Sequence, residues 1–158
     1  MKYFLFLLLS WYAQDLAQII MTQTFLAPEF YALALVCCAT VEYEPRMPLR
    51  WMAAAVVGGL LFDLRWVGIP GLSSALYLCA LFAARKLWFQ VPAPNRRLLP
   101  FVVIAGGSVL LITPFRLFFW DVSVLYGRIT TIIAAQWSIS AVALLLIAVA
   151  RPYANEEL

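Results

Sequence analysis

Apolar residues run along this chain in long blocks, and the polar breaks between them are short. The first block covers residues 3–21 and the second residues 26–41. The segment Glu42-Tyr-Glu-Pro-Arg-Met-Pro-Leu-Arg50 interrupts the pattern with charges and two prolines. Further blocks cover residues 49–64, 71–87, 98–117 and 129–150. Gln90-Val-Pro-Ala-Pro-Asn-Arg-Arg97 is a turn-rich stretch whose backbone has no place in lipid. The pattern predicts about six membrane-spanning helices in one compact bundle, with residues 1–158 forming a single integral membrane domain. Spans two and three, at about 16 residues, fall short of the roughly 20 that cross the hydrocarbon core, so flanking residues, local thinning or a re-entrant path must serve them.

The ends of the blocks carry orientation signals. Met1-Lys2 and the apolar run to Ala13 resemble a signal peptide, but Gln14 and Asp15 stand where small residues would mark cleavage, so an uncleaved first helix is expected. Pro28 suits a first helical turn, and Glu29 suits the positive end of that helix's dipole. With the N-terminus inside, Lys2, Arg46, Arg50, Arg85, Lys86, Arg96, Arg97 and Arg151 fall on the cytoplasmic side. Arg65, Arg116 and Arg128 fall outside. This positive-inside bias places both termini in the cytoplasm. Phe118, Phe119, Trp120 and Tyr126 read as an interfacial aromatic belt around Asp121 and Arg128.

Composition agrees: 65% of the 158 residues are hydrophobic and 12% are charged, about half the charged share of a soluble domain. A net charge of +3, spread along the chain, gives nucleic acid no concentrated basic face. The chain has no histidine, which removes imidazole ligation and histidine general bases. Cys37, Cys38 and Cys79 lie in apolar runs and read as small buried hydrophobes. Ser73 and Ser74 have no histidine to serve as base, Gly106-Gly107 sits in an apolar span without a phosphate-binding lysine, and the carboxylates are scattered. No catalytic residue, metal site or cofactor is expected, and the chain reads as a non-enzyme.

Two features remain. Asp63 closes the run Val56-Val-Gly-Gly-Leu-Leu-Phe62 near the outer boundary, where an acid is costly unless paired or hydrated. It reads either as a functional group or as an interfacial carboxylate near Arg65 that caps the following turn. Asp15 has a similar choice between a bond across helices and a place near the outer surface. Small residues recur at four-residue spacing: Gly71, Ala75, Cys79 and Ala83, then Ala54/Gly58 and Ala55/Gly59, then Ala13/Ala17. Such rows let helices approach closely. Another span of the same chain is the simpler partner for the four-residue row, and a second protein is the alternative.

The stretch Gly58-Gly59-Leu-Leu-Phe-Asp63-Leu-Arg-Trp-Val-Gly68-Ile-Pro70-Gly71-Leu-Ser-Ser-Ala75-Leu resembles the signature region of the rod-shape-determining protein MreD family. The similarity covers residues 55–85, with hydropathy and spacing alone elsewhere. Arg65-Trp66-Val67 is bulkier than the small polar residues of that family's turn. The resemblance implies a multi-pass protein of the bacterial inner membrane that binds the bitopic shape protein MreC. Through it the protein would engage the peptidoglycan synthase complex. It also implies a fold similar to the substrate-binding subunits of energy-coupling-factor vitamin transporters. Gly58, Gly59, Asp63, Gly68, Pro70, Gly71, Ala75, Cys79 and Ala83 would then form a partner-binding or structural signature. A small-molecule-binding subunit of such a transporter is the alternative. Ala13-Gln-Asp-Leu-Ala17 has the spacing by which those subunits dock, and Gln14, Asp15, Gln18, Asp63 and Trp66 are its candidate polar groups.

Overall fold

A computed structural model of the chain describes residues 2–21, 28–41, 47–67, 69–119 and 129–150. These residues form α1 (Lys2–Met21), α2 (Phe30–Val41), α3 (Leu49–Phe62), α4 (Leu72–Gln90), α5 (Leu98–Leu110), α6 (Ile112–Phe119) and α7 (Ile129–Ala150). A π-helical segment, Asp63–Val67, extends α3, and a short 3-10 turn, Ala93–Asn95, joins α4 to α5. No strand occurs among the described residues.

By length and composition, three stretches can cross a membrane: Tyr3–Met21, Leu72–Gln90 and Leu98–Arg116. Phe30–Val41 and Trp137–Leu146 are shorter apolar helical stretches. Large apolar side chains cover the outside: Phe4 and Ile20 are 74% exposed and Leu99 is 73% exposed. Meanwhile Gln14, Glu29, Asp63, Arg85 and Arg116 are buried. Polar groups inside and hydrocarbon outside is the reverse of a water-soluble globule. It is compatible with a helical membrane protein.

The packing has α2 at its centre. Every residue from Tyr31 to Thr40 is buried, as expected of a helix that is apolar on all sides. It touches α1, α3, α4, α5 and α7. Twelve residues span only about 18 Å. A charge complementary to the helix dipole stands near each end. Glu29 stands at the N-terminal end, its carbonyl accepting the Leu33 N–H at 3.0 Å. At the other end buried Arg85 donates to the carbonyl of Ala39 and lies 5.1 Å from the Phe89 ring. A negative group at the N-terminus and a positive one at the C-terminus both oppose the helix dipole.

The most extensive packing joins α3 to α4. A Cβ on Gly59 would lie 2.5 Å from the Ser74 backbone, and one on Gly58 would run into the Tyr31 ring. Both glycines are therefore required by close approach. Carbonyls of α3 also receive side-chain donors from three neighbours. Trp11 Nε1 bonds the Gly58 oxygen at 3.2 Å, Tyr31 OH the Ala54 oxygen at 2.7 Å, and Ser74 Oγ the Val56 oxygen at 2.8 Å. Such bonds join helices where apolar burial gives little drive for association.

Several expectations change. Pro28 precedes α2 and does not lie within its first turn, while Glu29 stands at its N-terminal end as expected. Residues 98–117 form two helices, because Leu111 interrupts the run and Pro114 has no N–H for the carbonyl of residue 110. The fourth helix continues three residues past Leu87, to Gln90, and the third continues through a wider π turn to Val67. Arg85 and Arg116, counted as a cytoplasmic and an outer cation, lie in the interior. Cys37 and Cys38 are buried but Cys79 is exposed. Trp120, Asp121, Tyr126 and Arg128 of the proposed belt, residues 22–27, and Gly68 lie outside the described residues.

Candidate functional site

Polar residues at one end of the bundle converge on a cluster built from α1, α2, the π segment, α4 and α6. Its centre is an ion pair between Glu29 and Arg116, each 1% exposed. Arg116 Nη2 also donates to Ser73 Oγ at 2.9 Å and to the Tyr77 hydroxyl at 3.3 Å. Tyr77 donates its proton to Glu29 Oε2 at 3.1 Å. Gln14 closes the ring: its Nε2 donates to Tyr77 at 3.0 Å and to Glu29 Oε2 at 3.3 Å. Its Oε1 accepts the Tyr31 N–H at 2.9 Å, one of the donors left free at the start of α2. The guanidinium lies 4.7 Å from the Phe62 ring centre, adding a cation–π contact.

Asp63 completes the cluster from the end of α3. Both carboxylate oxygens accept the Ser73 N–H, at 3.0 and 2.9 Å. The capping position of α4 is held by Gly71, whose φ of +92° suits glycine and which has no side chain to offer the helix. Asp63 supplies that missing acceptor from across the turn. The electrostatics balance: two carboxylates face one guanidinium and two helix N-termini, each worth roughly half a positive charge. No isolated charge is left within this cluster. Replacing Asp63 with alanine strands a buried N–H and is expected to cost about 1–2 kcal/mol in detergent thermal unfolding. Asp63→Asn, which keeps an acceptor, is expected to lose less.

A second, peripheral pair holds α1 to the π segment. Asp15 Oδ2 lies 3.0 Å from Arg65 Nη1, and Asp15 Oδ1 accepts the Trp66 indole N–H at 2.8 Å. Asp15 thus bonds across helices. The bulky Arg65-Trp66 pair is accounted for by this contact, since small residues there would not reach α1.

The signature residues divide into two sets. Gly58, Gly59 and Asp63 are buried at the α3–α4 contact, and Gly71 makes the turn into α4. Pro70 is exposed in that turn, and Ala75, Cys79 and Ala83 are exposed on α4. The face of α4 packed inward is the other one, carrying Ser73, Ser74, Tyr77, Ala80, Leu81, Ala84, Arg85 and Trp88. The row is therefore not buried against another described span, which was the simpler expectation. Glu29, Arg116, Tyr77 and Ser73 were not singled out as a set by sequence reasoning. Alternating topology provides a signal for them, since the start of span two and the ends of spans three and five share one side.

Most polar atoms of the cluster are bonded to one another, while Arg116 Nε is buried without a hydrogen-bond partner among the described residues. Glu29 Oε2, Tyr77 OH and Gln14 spend their bonding capacity on each other, and no three His, Cys, Asp or Glu side chains converge among the described residues. Such an arrangement fixes the positions of α1, α2, α4 and α6 relative to one another. No family model matches the chain, and neither a curated protein nor a solved structure does.

Proposed function

We propose that the chain is a non-catalytic, multi-pass component of the bacterial inner membrane that works by binding a partner's transmembrane helix. In the reading its MreD-like stretch supports, that partner is an MreC-like bitopic shape protein, and the machinery is that of cell-wall elongation. Both termini would then be cytoplasmic, with six spans. Engagement of the peptidoglycan synthase complex would be indirect, through the bitopic partner.

The observation that carries this reading is the outward row on α4. Ala75, Cys79 and Ala83 are exposed one turn apart on a helix whose opposite face is locked into the bundle by Asp63 and Arg116. Small side chains facing lipid on a rigid helix allow a second helix to approach closely. Since these positions are exposed on the described chain, enlarging them leaves the fold alone. Ala75→Leu and Ala83→Leu are expected to keep membrane accumulation and melting temperature at wild-type level. Co-purification of the bitopic partner from mild detergent should fall about tenfold, as for loss of a well-packed contact worth roughly 1.4 kcal/mol. Wild-type recovery of that partner in both variants would remove the reading.

One observation favours a second reading, the binding subunit of an energy-coupling-factor type transporter. Ala13 is exposed on α1 and Ala17 is half-buried, so the Ala-xxx-Ala pattern lies toward the outside of the bundle. The same pull-down separates the two: this reading expects an ATPase pair and its membrane coupling protein, and sensitivity to Ala13→Leu in place of Ala75→Leu.

A further inference from the structure

A cleft of about 260 Å³ opens between α5 and α7, away from the polar cluster. Its walls include Val103, Gly106 and Gly107 of α5 and Ser140, Ala141 and Leu144 of α7. It exists because side chains are missing. A Cβ on Gly107 would meet nothing within 4 Å, whereas one on Gly106 would touch Leu144 at 3.1 Å. The walls are apolar apart from the Ser140 hydroxyl. A helix, about 10–12 Å across with its side chains, does not fit into such a space. A single flexible hydrocarbon chain does.

Charge at one end of α5 narrows the occupant further. Arg97 and Lys86 are exposed, and neither has an ion-pair partner among the described residues. The sequence has no acidic residue between Asp63 and Asp121. Exposed Leu98 and Leu99 follow Arg97 directly, so the change from water to hydrocarbon falls there. Along α5, Val103 lies about 9 Å beyond Arg97 and Leu110 about 20 Å beyond, at 1.5 Å per residue. One leaflet of hydrocarbon is about 15 Å deep. The cleft therefore begins at acyl-chain depth in the leaflet whose headgroups meet Arg97 and runs to just past the midplane, about the reach of one extended acyl chain.

We propose that the α5–α7 cleft holds one acyl chain of an anionic phospholipid, with the headgroup phosphate on Arg97 and Lys86 nearby at the same end of the bundle. Arginine suits this role because its planar guanidinium matches phosphate oxygens with two parallel donors. The proposal needs the chain to sit in a bilayer and is independent of the partner that α4 engages.

The full chain reconstituted in nanodiscs of equal phosphatidylglycerol and phosphatidylcholine, then extracted in mild detergent, provides the test. Retained lipid is counted by mass spectrometry. Wild type is expected to retain phosphatidylglycerol about fivefold over phosphatidylcholine, the preference one cation near a phosphate supports. Arg97→Gln should bring that ratio close to one. Gly107→Leu and Ala141→Leu fill the cleft from opposite walls, and each should abolish retention of both lipids at an unchanged melting temperature. Having two such variants leaves one to decide if the other misfolds. Retention in the reconstituted ratio by wild type, or undiminished lipid in a folded cleft-filled variant, overturns the proposal. So does loss of a bound protein, with lipid unchanged, on filling the cleft.

Discussion

Arg116→Met is expected to lower the melting temperature in detergent by on the order of 10 °C and to cut membrane accumulation sharply. The side chain is fully buried, so its loss leaves Glu29 as an uncompensated interior charge and takes a donor from both Ser73 and Tyr77. Breaking one side of such a pair costs about 3–5 kcal/mol, and in a chain of this size each kcal/mol moves the midpoint by about 2–4 °C. Arg116→Lys keeps the charge but not the fork that reaches Glu29, Ser73 and Tyr77 together, so it should fall between wild type and methionine. Removing the opposing charge as well, in Glu29→Gln/Arg116→Met, should recover part of the loss. Asp63 still faces the start of α4 in that double variant. A double variant no better than Arg116→Met alone would mean that hydrogen bonding, and not charge balance, holds the cluster.

Gly59→Ala is expected to be nearly as damaging, although it adds one methyl group. That carbon would lie 2.5 Å from the Ser74 Cα and backbone nitrogen, and 2.9 Å from the Ser73 carbonyl carbon. The obstacle is main chain, so no rotamer change relieves it and α4 must move away from α3. Overpacking of this kind costs about 1–3 kcal/mol. It acts here on the segment whose Ser73 N–H is held by Asp63 and whose Ser74 hydroxyl bonds Val56. Gly107→Ala is the control. Its Cβ meets open space, and alanine improves helix propensity by up to about 1 kcal/mol, so that variant should melt at or above wild type. Equal melting temperatures for Gly59→Ala and wild type would show that α3 and α4 are free to separate.

The all-helical architecture was legible in the apolar blocks, and α7 occupies the predicted residues 129–150. Periodicity does not report which face of a helix points inward when both faces are apolar. Ala75-Cys79-Ala83 and Ser73-Tyr77-Ala80 both run along α4, and only the hydroxyls on the second row hint at its partners. Asp63 was visible because an acid interrupts an apolar run. Arg116 was read as an outer-loop cation because it stands near the end of its block, where snorkelling is the ordinary outcome. What drew it inward is Glu29, 87 positions away in the sequence, and a pairing over that distance leaves no local trace. The break at Leu111 went unread within the single block 98–117, although Pro114, whose effect on a helix is local, stands there to signal it.

The length of α2 has a consequence for how the protein is made. Its twelve helical residues fall well short of the roughly 20 that hold a segment across hydrocarbon unaided. All of Tyr31 to Thr40 is shielded by neighbours, and four of them, α3, α4, α5 and α7, are synthesised later. Until the ribosome has delivered Arg85 and Arg116, the carbonyls at one end of α2 and Glu29 at the other lack their charged counterparts. The innermost helix of the bundle is thus an early part of the nascent chain whose final seat depends on segments not yet translated.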